Sequence, residues 1–375
     1  MSSSSGFKFW AKRISEGLIL LIFLYLFLVS VRLLGDGFKM FGGGFAERLI
    51  STTSNPLVGL FIGILATSLV QSSSTTTCTV VGFVASGILS IPNAVPIIMG
   101  ANIGTTVTST FVSLGHITRR EEFRRAMAAA TVHDFFNILA VVVLFPLEIA
   151  TGFLRHLAQS FSNFLVGKEG LTFASPVKKI VGPAVRQIVS FATGLTPRHA
   201  AVLVAVFAVF LLMLSLFFIV KRTKKLALRR AEVILDKLIG KSGIAGIALG
   251  CGVTAVIQSS SVTTSLMVPL AGAGIARLDQ IFPITLGANI GTTVTALLAS
   301  LAGDVAGLTI AIVHLLFNVF GILLIYPFRP IRNVPMAMAK RLADIAARSK
   351  RYAAVFIIGM FYAIPLLLIF LNRLF

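Results

Sequence analysis

Gln71-Ser72-Ser73-Ser74 opens a polar stretch that interrupts an apolar part of the chain, and Gln258-Ser259-Ser260-Ser261 opens a second copy of it. Both copies end in Gly-Ala-Asn-Ile-Gly-Thr-Thr-Val-Thr, and the offset between them is constant at 187 residues. Of the 38 positions from 71 to 108, 20 are identical in the second copy. A period this long excludes a solenoid and indicates two halves of one domain. Below, 71–77 and 258–264 are the serine segments, and 100–108 and 287–295 are the Gly-Ala-Asn segments.

The composition is that of a membrane protein. The 375 residues are 56% hydrophobic and only 12% charged, which lies outside the range of soluble domains. Apolar runs at 17–34, 200–220 and 352–370 are each close to the length that crosses a bilayer core. The short alternating segments of a membrane β-barrel do not occur in the sequence. We therefore predict an all-α integral membrane protein in contact with the lipid bilayer.

The net charge of +20 does not indicate binding to nucleic acid. Lys and Arg are concentrated in the connections between apolar segments, as at 221–230, and this pattern is typical of cytoplasmic loops. The basic tail before the first span predicts a cytoplasmic N-terminus. The sequence contains no Asn-x-Ser/Thr acceptor, which is compatible with a bacterial inner membrane. We predict a multi-pass protein of the cell membrane, for which a homodimer is a possible assembly.

The two copies divide the chain into five parts. They are 1–56, a tail, first span and interfacial segment; 57–148, repeat 1; 149–243, a connection with span 200–220 and a basic cytoplasmic loop; 244–328, repeat 2; and 329–375, a basic segment and last span. Within repeat 1 we expect a break at Pro92 and Pro96, a polar loop at 119–125 and an apolar segment that ends near Pro146.

The charges of the two repeats predict opposite orientations. The loop that follows the first Gly-Ala-Asn segment contains four arginines, whereas the matching loop at 300–307 contains none and carries Asp304. Equivalent loops of opposite charge bias lie on opposite sides of a membrane. The basic connection at 151–199 argues against this assignment, but long connections follow the charge rule weakly. We predict two inverted-topology repeats with discontinuous or re-entrant helices, joined by additional membrane-spanning helices.

The serine segments suit a chain reversal inside the membrane, where every backbone polar group needs a partner. Their hydroxyls can cap the next helix. Two half-helices that meet would present N–H groups and positive dipole ends, which attract an anion. Serine hydroxyls would replace the water around phosphate-like oxygens, and unwound carbonyls with Gln, Asn and Thr oxygens suit a small alkali cation. Isolated Ser and Thr residues usually join helices instead, but that role does not need such clustering.

Few acidic residues lie inside apolar segments. Of the 13 Asp and Glu residues, only Asp134 lies well inside one, so a cation site built mainly from neutral oxygens favours sodium over a proton relay. Asp134 is expected to be a counter-ion for a loop arginine. His133 and Asn137, like His314 and Asn318, share one helix face, and we expect these pairs to form structural hydrogen bonds.

Together, the two serine segments, the two Gly-Ala-Asn segments and the run from Phe123 to Asn137 resemble the type II sodium-dependent phosphate cotransporter family. The similarity covers both repeats. The resemblance implies sodium-driven symport of inorganic phosphate into the cell by alternating access, with Na⁺ as the co-transported ion and no organic cofactor. The connection between the repeats lacks the cysteines and glycosylation sites of animal members, which suggests a bacterial member.

The resemblance also implies the ligands. Phosphate would contact the starts of both serine segments, namely Gln71, Ser72, Ser73, Ser74, Ser259, Ser260 and Ser261. Sodium would contact the second serine segment and both Gly-Ala-Asn segments, namely Gln258, Ser259, Asn289, Thr292, Thr293, Asn102, Thr105 and Thr106.

Three other functions remain alternatives. A transporter of sulfate or arsenate would use the same oxyanion chemistry, and an anion channel would ignore sodium. A serine hydrolase is disfavoured, because the sequence has no Gly-x-Ser-x-Gly and no carboxylate is duplicated beside a histidine. We therefore predict that the protein is not an enzyme.

Overall fold

The computed structural model describes residues 3–166, 176–192, 194–238 and 242–372, and within these ranges every regular element is a helix. Among the described residues, seven helical spans are long and apolar enough to cross a membrane, or eight if the bent pair 43–53 and 56–70 counts as one span; two of the seven, Ile91–His116 and Arg351–Leu371, are each made of consecutive shorter helices. The predicted all-α integral membrane architecture is confirmed.

The helices are, in chain order, α1 Ser3–Lys39, α2 Gly43–Thr53, α3 Pro56–Val70, α4 Ser73–Ala85, α5 Ile91–Gly104, α6 Val107–Ser113, α7 Arg120–Thr151, α8 Phe153–Val166, α9 Pro176–Ser190, α10 Pro197–Leu238, α11 Gly243–Ile257, α12 Ser260–Gly272, α13 Leu278–Ser300, α14 Val305–Ile325, α15 Arg329–Arg348, α16 Arg351–Ile358 and α17 Ile364–Leu371. A 3₁₀ turn follows α6, and a π-helical turn joins α16 to α17 in the last span.

The two repeats are built from the same series of elements. In repeat 1, α3 and α4 form a helical hairpin whose turn is Gln71 and Ser72, the first two residues of the serine segment, and α5, α6 and α7 follow. In repeat 2, α11 and α12 form the matching hairpin around the second serine segment, and α13 and α14 follow. One continuous apolar core contains residues from both repeats, including Ile98, Phe136, Phe282 and Phe317.

Glycines allow the first helix of each hairpin to pack closely on the helix that carries the Gly-Ala-Asn segment. A Cβ added to Gly63 would collide with the carbonyl of Ile97, and one added to Gly250 would collide with the carbonyl of Ile284. Side chains cannot fit at such approaches, so only glycine permits them. Gly59 and Gly63 of α3, and Gly246 and Gly250 of α11, are thus helix-contact positions.

Two helices outside the repeats pack against the hairpins: α1 contacts α4, and α10 contacts α11. The long helix α10 packs against α1, where the rings of Phe23 and Phe218 stack with centroids 4.5 Å apart. The amphipathic helix α9 packs Val181 and Val185 into an apolar cluster with Leu33 of α1 and Val204 of α10. The connection between the repeats contains two amphipathic helices, α8 and α9.

Several expected breaks in the chain were wrong. Pro92 lies in the first turn of α5, where its missing N–H costs nothing, and Pro96 lies inside the same helix. The reversal occurs earlier, at Gly87, whose φ is +76°. Similarly, α7 passes through Pro146 and ends only at Gly152, where φ is +64°. One proline removes one hydrogen bond, and the packing of the remaining turns maintains the helix.

Two segments assigned to loops are helical. The expected loop at 119–125 is mostly the first turn of α7, where Glu121 and Glu122 complement the positive end of the helix dipole. The basic run that follows span 200–220 continues α10 to Leu238 rather than forming a loop. Lys and Arg are good helix formers. A run of basic residues therefore does not indicate that a helix ends there.

Candidate functional site

Each serine segment reverses the chain at its glutamine. Gln71 and Gln258 are the only non-glycine residues with positive φ among the described residues, at 54° and 61°. The serine that follows each glutamine then caps the next helix. The Ser72 hydroxyl accepts from the Thr75 N–H at 3.2 Å, and the Ser259 hydroxyl accepts from the Val262 N–H at 3.4 Å. The chain reversal and the serine caps predicted from the sequence are both present.

The tips of the two hairpins meet. A small cavity of about 30 Å³ is lined by residues 72–74 and 258–261 together with two apolar side chains of α10, Leu216 and Val220. Across it, the Ser74 hydroxyl donates to the Gln258 carbonyl at 3.4 Å, although the two residues are 184 positions apart in sequence. We call this space the tip cavity. The two breaks of the duplicated sequence were expected to meet, and in the structure they do.

The chemistry of the tip cavity is neutral and rich in hydroxyl groups. Six serines line it, and no Lys, Arg, Asp or Glu does. Helices α4 and α12 both begin at this cavity, so their first N–H groups and positive dipole ends lie beside it. Among the described residues, the hydroxyls of Ser73, Ser260 and Ser261 have no hydrogen-bond partner. These groups are available to an anion or to water.

The two glutamines differ in their surroundings. Gln258 lines the tip cavity and is half-buried, whereas Gln71 is exposed and does not line it. The structure thus brings together six of the seven predicted phosphate residues and leaves Gln71 at the edge. Of the predicted sodium residues, it brings Gln258 and Ser259 to the cavity. The other six, in the Gly-Ala-Asn segments, are buried but do not line it.

The Gly-Ala-Asn segments lie in a buried hydrogen-bond network instead. Asn289 donates from Nδ2 to Asn137 Oδ1 at 2.8 Å, and Asn137 donates from Nδ2 to the Asn102 carbonyl at 2.8 Å. The other amide atom of Asn289, Oδ1, lies 2.6 Å from His133 Nε2, and an amide oxygen can only accept a hydrogen bond. This arrangement requires His133 to carry its proton on Nε2. The network connects repeat 1 to repeat 2, and it confirms that His133 and Asn137 form structural hydrogen bonds.

This network explains a difference between the repeats. The first Gly-Ala-Asn segment is interrupted at Thr105 and Thr106, between α5 and α6, whereas the identical second segment lies within the unbroken helix α13. At the interruption the Thr106 N–H bonds to the Ile103 carbonyl, three residues back. The Asn102 carbonyl is thereby released to accept from Asn137.

In repeat 2 the equivalent side chains are less well satisfied. Asn318 donates to the carbonyl of His314 in its own helix at 2.9 Å rather than to another helix. Asn318 Oδ1 and His314 Nδ1 are buried and have no partner among the described residues. The duplicated sequence therefore produces two unlike halves.

Threonines of both Gly-Ala-Asn segments bond to their own helices. The hydroxyl of Thr105 donates to Ala101 O at 2.9 Å, and that of Thr292 donates to Ala288 O at 3.0 Å. Thr106 and Thr293 make the same kind of bond, three residues back. Such bonds use the hydroxyl proton but leave oxygen lone pairs, so their role as sodium ligands stays a prediction.

Asp134 is not a counter-ion for an arginine, contrary to expectation. It is completely buried and forms no ion pair with any described residue. The nearby arginines are engaged elsewhere: Arg124 pairs with Glu121 and Asp344, and Arg125 donates to the carbonyls of Ala271 and Gly272. The expectation failed because α7 starts at Arg120 and so carries Asp134 more than three turns into the protein.

Leu216 and Val220 were not predicted to contribute to the site, yet they line the tip cavity. They belong to an apolar span outside the repeats, and nothing in their local sequence distinguishes them from residues that face lipid. Only the packing of α10 against the second hairpin, where Thr223 donates to the Ile257 carbonyl at 3.2 Å, brings them there.

Comparison with known proteins identifies the family of the chain. A model of the Na⁺/Pi-cotransporter family matches residues 26–175 and 211–340, which include both serine segments and both Gly-Ala-Asn segments. No solved structure matches the chain.

Curated relatives are similar over nearly all of the chain. Sodium-dependent phosphate transport protein 2B of Pongo abelii is 34% identical over 467 residues, covering 96% of this chain and 68% of that protein. The Homo sapiens 2B protein is 34% identical with 96% and 67% covered, and the Rattus norvegicus 2A protein is 35% identical with 92% and 66% covered. The chain thus spans about two thirds of the length of these relatives. Together with the family match, this shows that the chain belongs to the Na⁺/Pi-cotransporter family, a family of transporters and not of enzymes.

Proposed function

We propose that the protein is a sodium-coupled symporter that carries inorganic phosphate into the cell by alternating access, with its substrate site in the tip cavity. The observation that carries the proposal is the meeting of the two serine segments around one hydroxyl-lined space. Family membership supports both the sodium coupling and the phosphate specificity.

Phosphate would be held by neutral donors. The hydroxyls of the two serine triplets, 72–74 and 259–261, surround the cavity, and the starts of α4 and α12 add backbone N–H groups. A buried guanidinium would hold an anion strongly and slow its release. A transporter needs to release its substrate in every cycle, so neutral donors suit the task.

Sodium would then supply the missing positive charge. Gln258 and Ser259 line the cavity and offer the amide, hydroxyl and carbonyl oxygens that small hard cations prefer. A bound cation beside a bound anion favours both, and by linkage each ligand raises the affinity for the other by the same factor. The coupling of the two fluxes follows from this mutual stabilisation. The buried Asn and Thr residues of the Gly-Ala-Asn segments would contribute further oxygens.

The size of the tip cavity supports a change of conformation during transport. About 30 Å³ is room for roughly two water molecules, which is less than phosphate and sodium require together. The tips would therefore separate when the ligands enter. A movement of one repeat against the other changes that separation without unfolding either hairpin. The N-terminus would lie on the cytoplasmic side of the cell membrane, and phosphate would enter from the opposite side.

Uptake of labelled phosphate into proteoliposomes tests the proposal. We expect uptake with an inward sodium gradient and little with a potassium gradient. Ser260→Ala and Gln258→Ala should each lower sodium-dependent uptake by about tenfold or more while the protein still inserts. Ser160→Ala is the matched control, because its exposed hydroxyl bonds only to His156 O, away from the cavity lining. Normal uptake by both cavity variants would overturn the site.

The same assay separates the rival functions. An anion channel would give phosphate flux that follows the phosphate gradient and ignores sodium. A transporter selective for sulfate or arsenate would show uptake of labelled phosphate that a small excess of that oxyanion suppresses. Under the proposal, unlabelled phosphate is the most effective competitor.

A further inference from the structure

A second and larger cavity, of about 580 Å³, lies at the start of α7, between the α12–α13 turn and α15. We call it the basic cavity. Four basic and two acidic side chains line it, a net formal charge of +2; they are Arg124, Arg125, Arg277, Lys340, Asp279 and Asp344. The tip cavity shares none of these residues. The proposed transport site therefore does not account for this cavity.

The basic residues of this cavity differ in how far they are engaged. Arg125 is fixed by bonds to the Ala271 and Gly272 carbonyls, and Arg124 bridges Glu121 and Asp344. Arg277 forms two hydrogen bonds to the carboxylate of Asp279, two residues away, but both side chains are well exposed to solvent. Lys340 is exposed and forms no ion pair with any described residue. Lys340 therefore supplies the positive charge that is most available to a ligand, and Arg277 supplies a second charge whose present partner is screened by solvent.

Apart from Asn333, the uncharged wall of the basic cavity is apolar. Ala128, Ala129, Ala271, Leu278 and Met336 contribute to it. A free inorganic anion would gain nothing from these side chains, because it has no apolar surface to bury. The volume is also in the range that accommodates molecules well above the size of phosphate. A ligand that is anionic at one end and apolar at the other fits this lining.

The helix that bounds the cavity is of a type found at membrane surfaces. Along α15, Pro335, Ala339, Ala343 and Ala346 are buried, and Ala343 and Ala346 pack on Phe123 and Met127 of α7. Exposed basic residues lie outside this buried face: Lys340 is at its edge beside the cavity, and Arg341 and Arg348 are on the opposite side. An amphipathic basic helix of this kind lies in the interface and attracts anionic lipid. The arginines at the start of α7 predict that this interface is the cytoplasmic one.

We infer that the basic cavity binds the headgroup of an anionic phospholipid, with Lys340 and Arg277 contacting the phosphodiester and the apolar wall contacting the glycerol and upper acyl chains. Basic pockets between helices on the cytoplasmic side of membrane proteins have this property in general. The inference does not depend on phosphate transport, since it uses a different cavity.

Native mass spectrometry of the purified full chain, titrated with phosphatidylglycerol or phosphatidylcholine, tests the inference. Phosphatidylglycerol should be retained preferentially. Lys340→Gln and Arg277→Gln should each weaken its binding roughly fivefold, and the double variant about 25-fold, because one basic residue near an anionic lipid contributes about that factor. Arg341→Gln is the matched control, since Arg341 lies on the same helix but does not line the cavity.

Asp344→Asn gives a test in the opposite direction. Removal of a lining carboxylate should strengthen phosphatidylglycerol binding roughly fivefold, an effect that a damaged fold cannot imitate. The inference is overturned if Arg341→Gln weakens binding as much as Lys340→Gln, because the attraction is then diffuse. It is equally overturned if Asp344→Asn gives no gain, or if millimolar inorganic phosphate displaces the lipid, which would assign the cavity to the free anion.

Discussion

At the scale of single residues, the two glutamines occupy equivalent positions in the duplicated sequence but have different surroundings. Both hold the left-handed conformation that ends the first helix of a hairpin, with φ of 54° and 61°. Yet Gln258 lines the tip cavity, whereas Gln71 is exposed and outside it. The sequence could not reveal this, because the residues that surround each glutamine come from distant parts of the chain.

This asymmetry predicts unequal effects on transport. Gln258→Ala removes a side chain that lines the cavity, so the rate of phosphate uptake should fall by about tenfold or more, the equivalent of one buried hydrogen bond to a charged ligand. Gln71→Ala should reduce the rate by less than about threefold. Initial rates in proteoliposomes, normalised to inserted protein, measure both. Equal losses in the two variants would contradict the asymmetry seen at the tips.

At the scale of helices and hairpins, local patterns predicted the turns correctly and the helix ends poorly. Polar residues after an apolar helix marked both hairpin tips, because a serine cap is a local interaction. Pro96 and Pro146 were poor guides, since tertiary packing maintains helices through an isolated proline. The clearest limit is the Gly-Ala-Asn segment, which is broken at Thr105 in repeat 1 and continuous at Thr292 in repeat 2. Identical local sequence cannot encode that difference, and the contact from Asn137 accounts for it.

Close helix packing predicts a strict requirement for glycine at selected positions. Gly250→Ala would place a methyl group against the Ile284 carbonyl, so the second hairpin should lose about 2 kcal/mol of stability or more. Gly252→Ala, two residues further along α11, meets nothing within 4 Å and should be neutral. Thermal unfolding in detergent compares the two variants. The packing account fails if both variants melt at the temperature of the unmodified protein.

At the scale of the whole molecule, the duplication determined most of what could be predicted. Two copies of one sequence indicated two equivalent hairpins, and hairpins inverted in a membrane were expected to meet at their tips, as they do. The contribution of α10 to the tip cavity could not be foreseen, because an apolar span has no local signal for which helix it packs against. The network that joins the repeats was visible only as His-x-x-x-Asn pairs, whose partners are more than 30 residues away.

The buried network between the repeats predicts energetic coupling. Asn137→Ala and Asn289→Ala should each destabilise the protein, and the double variant should lose less than the sum of the two. A coupling of about 1 kcal/mol is expected from one buried side-chain hydrogen bond in a membrane protein. A double-mutant cycle of chemical unfolding measures it. Additive losses would show that the bond at 2.8 Å contributes nothing to the connection between the repeats.

The central claim is that hydroxyls from both repeats bind phosphate in one cavity together with sodium. Titration calorimetry of purified protein with phosphate, in sodium and in potassium buffers, tests it most directly. We predict that phosphate binds tightly only in sodium, and that Ser74→Ala in repeat 1 and Ser260→Ala in repeat 2 each weaken binding by about tenfold. Equal affinity in the two buffers, or unchanged affinity in either serine variant, would contradict the account.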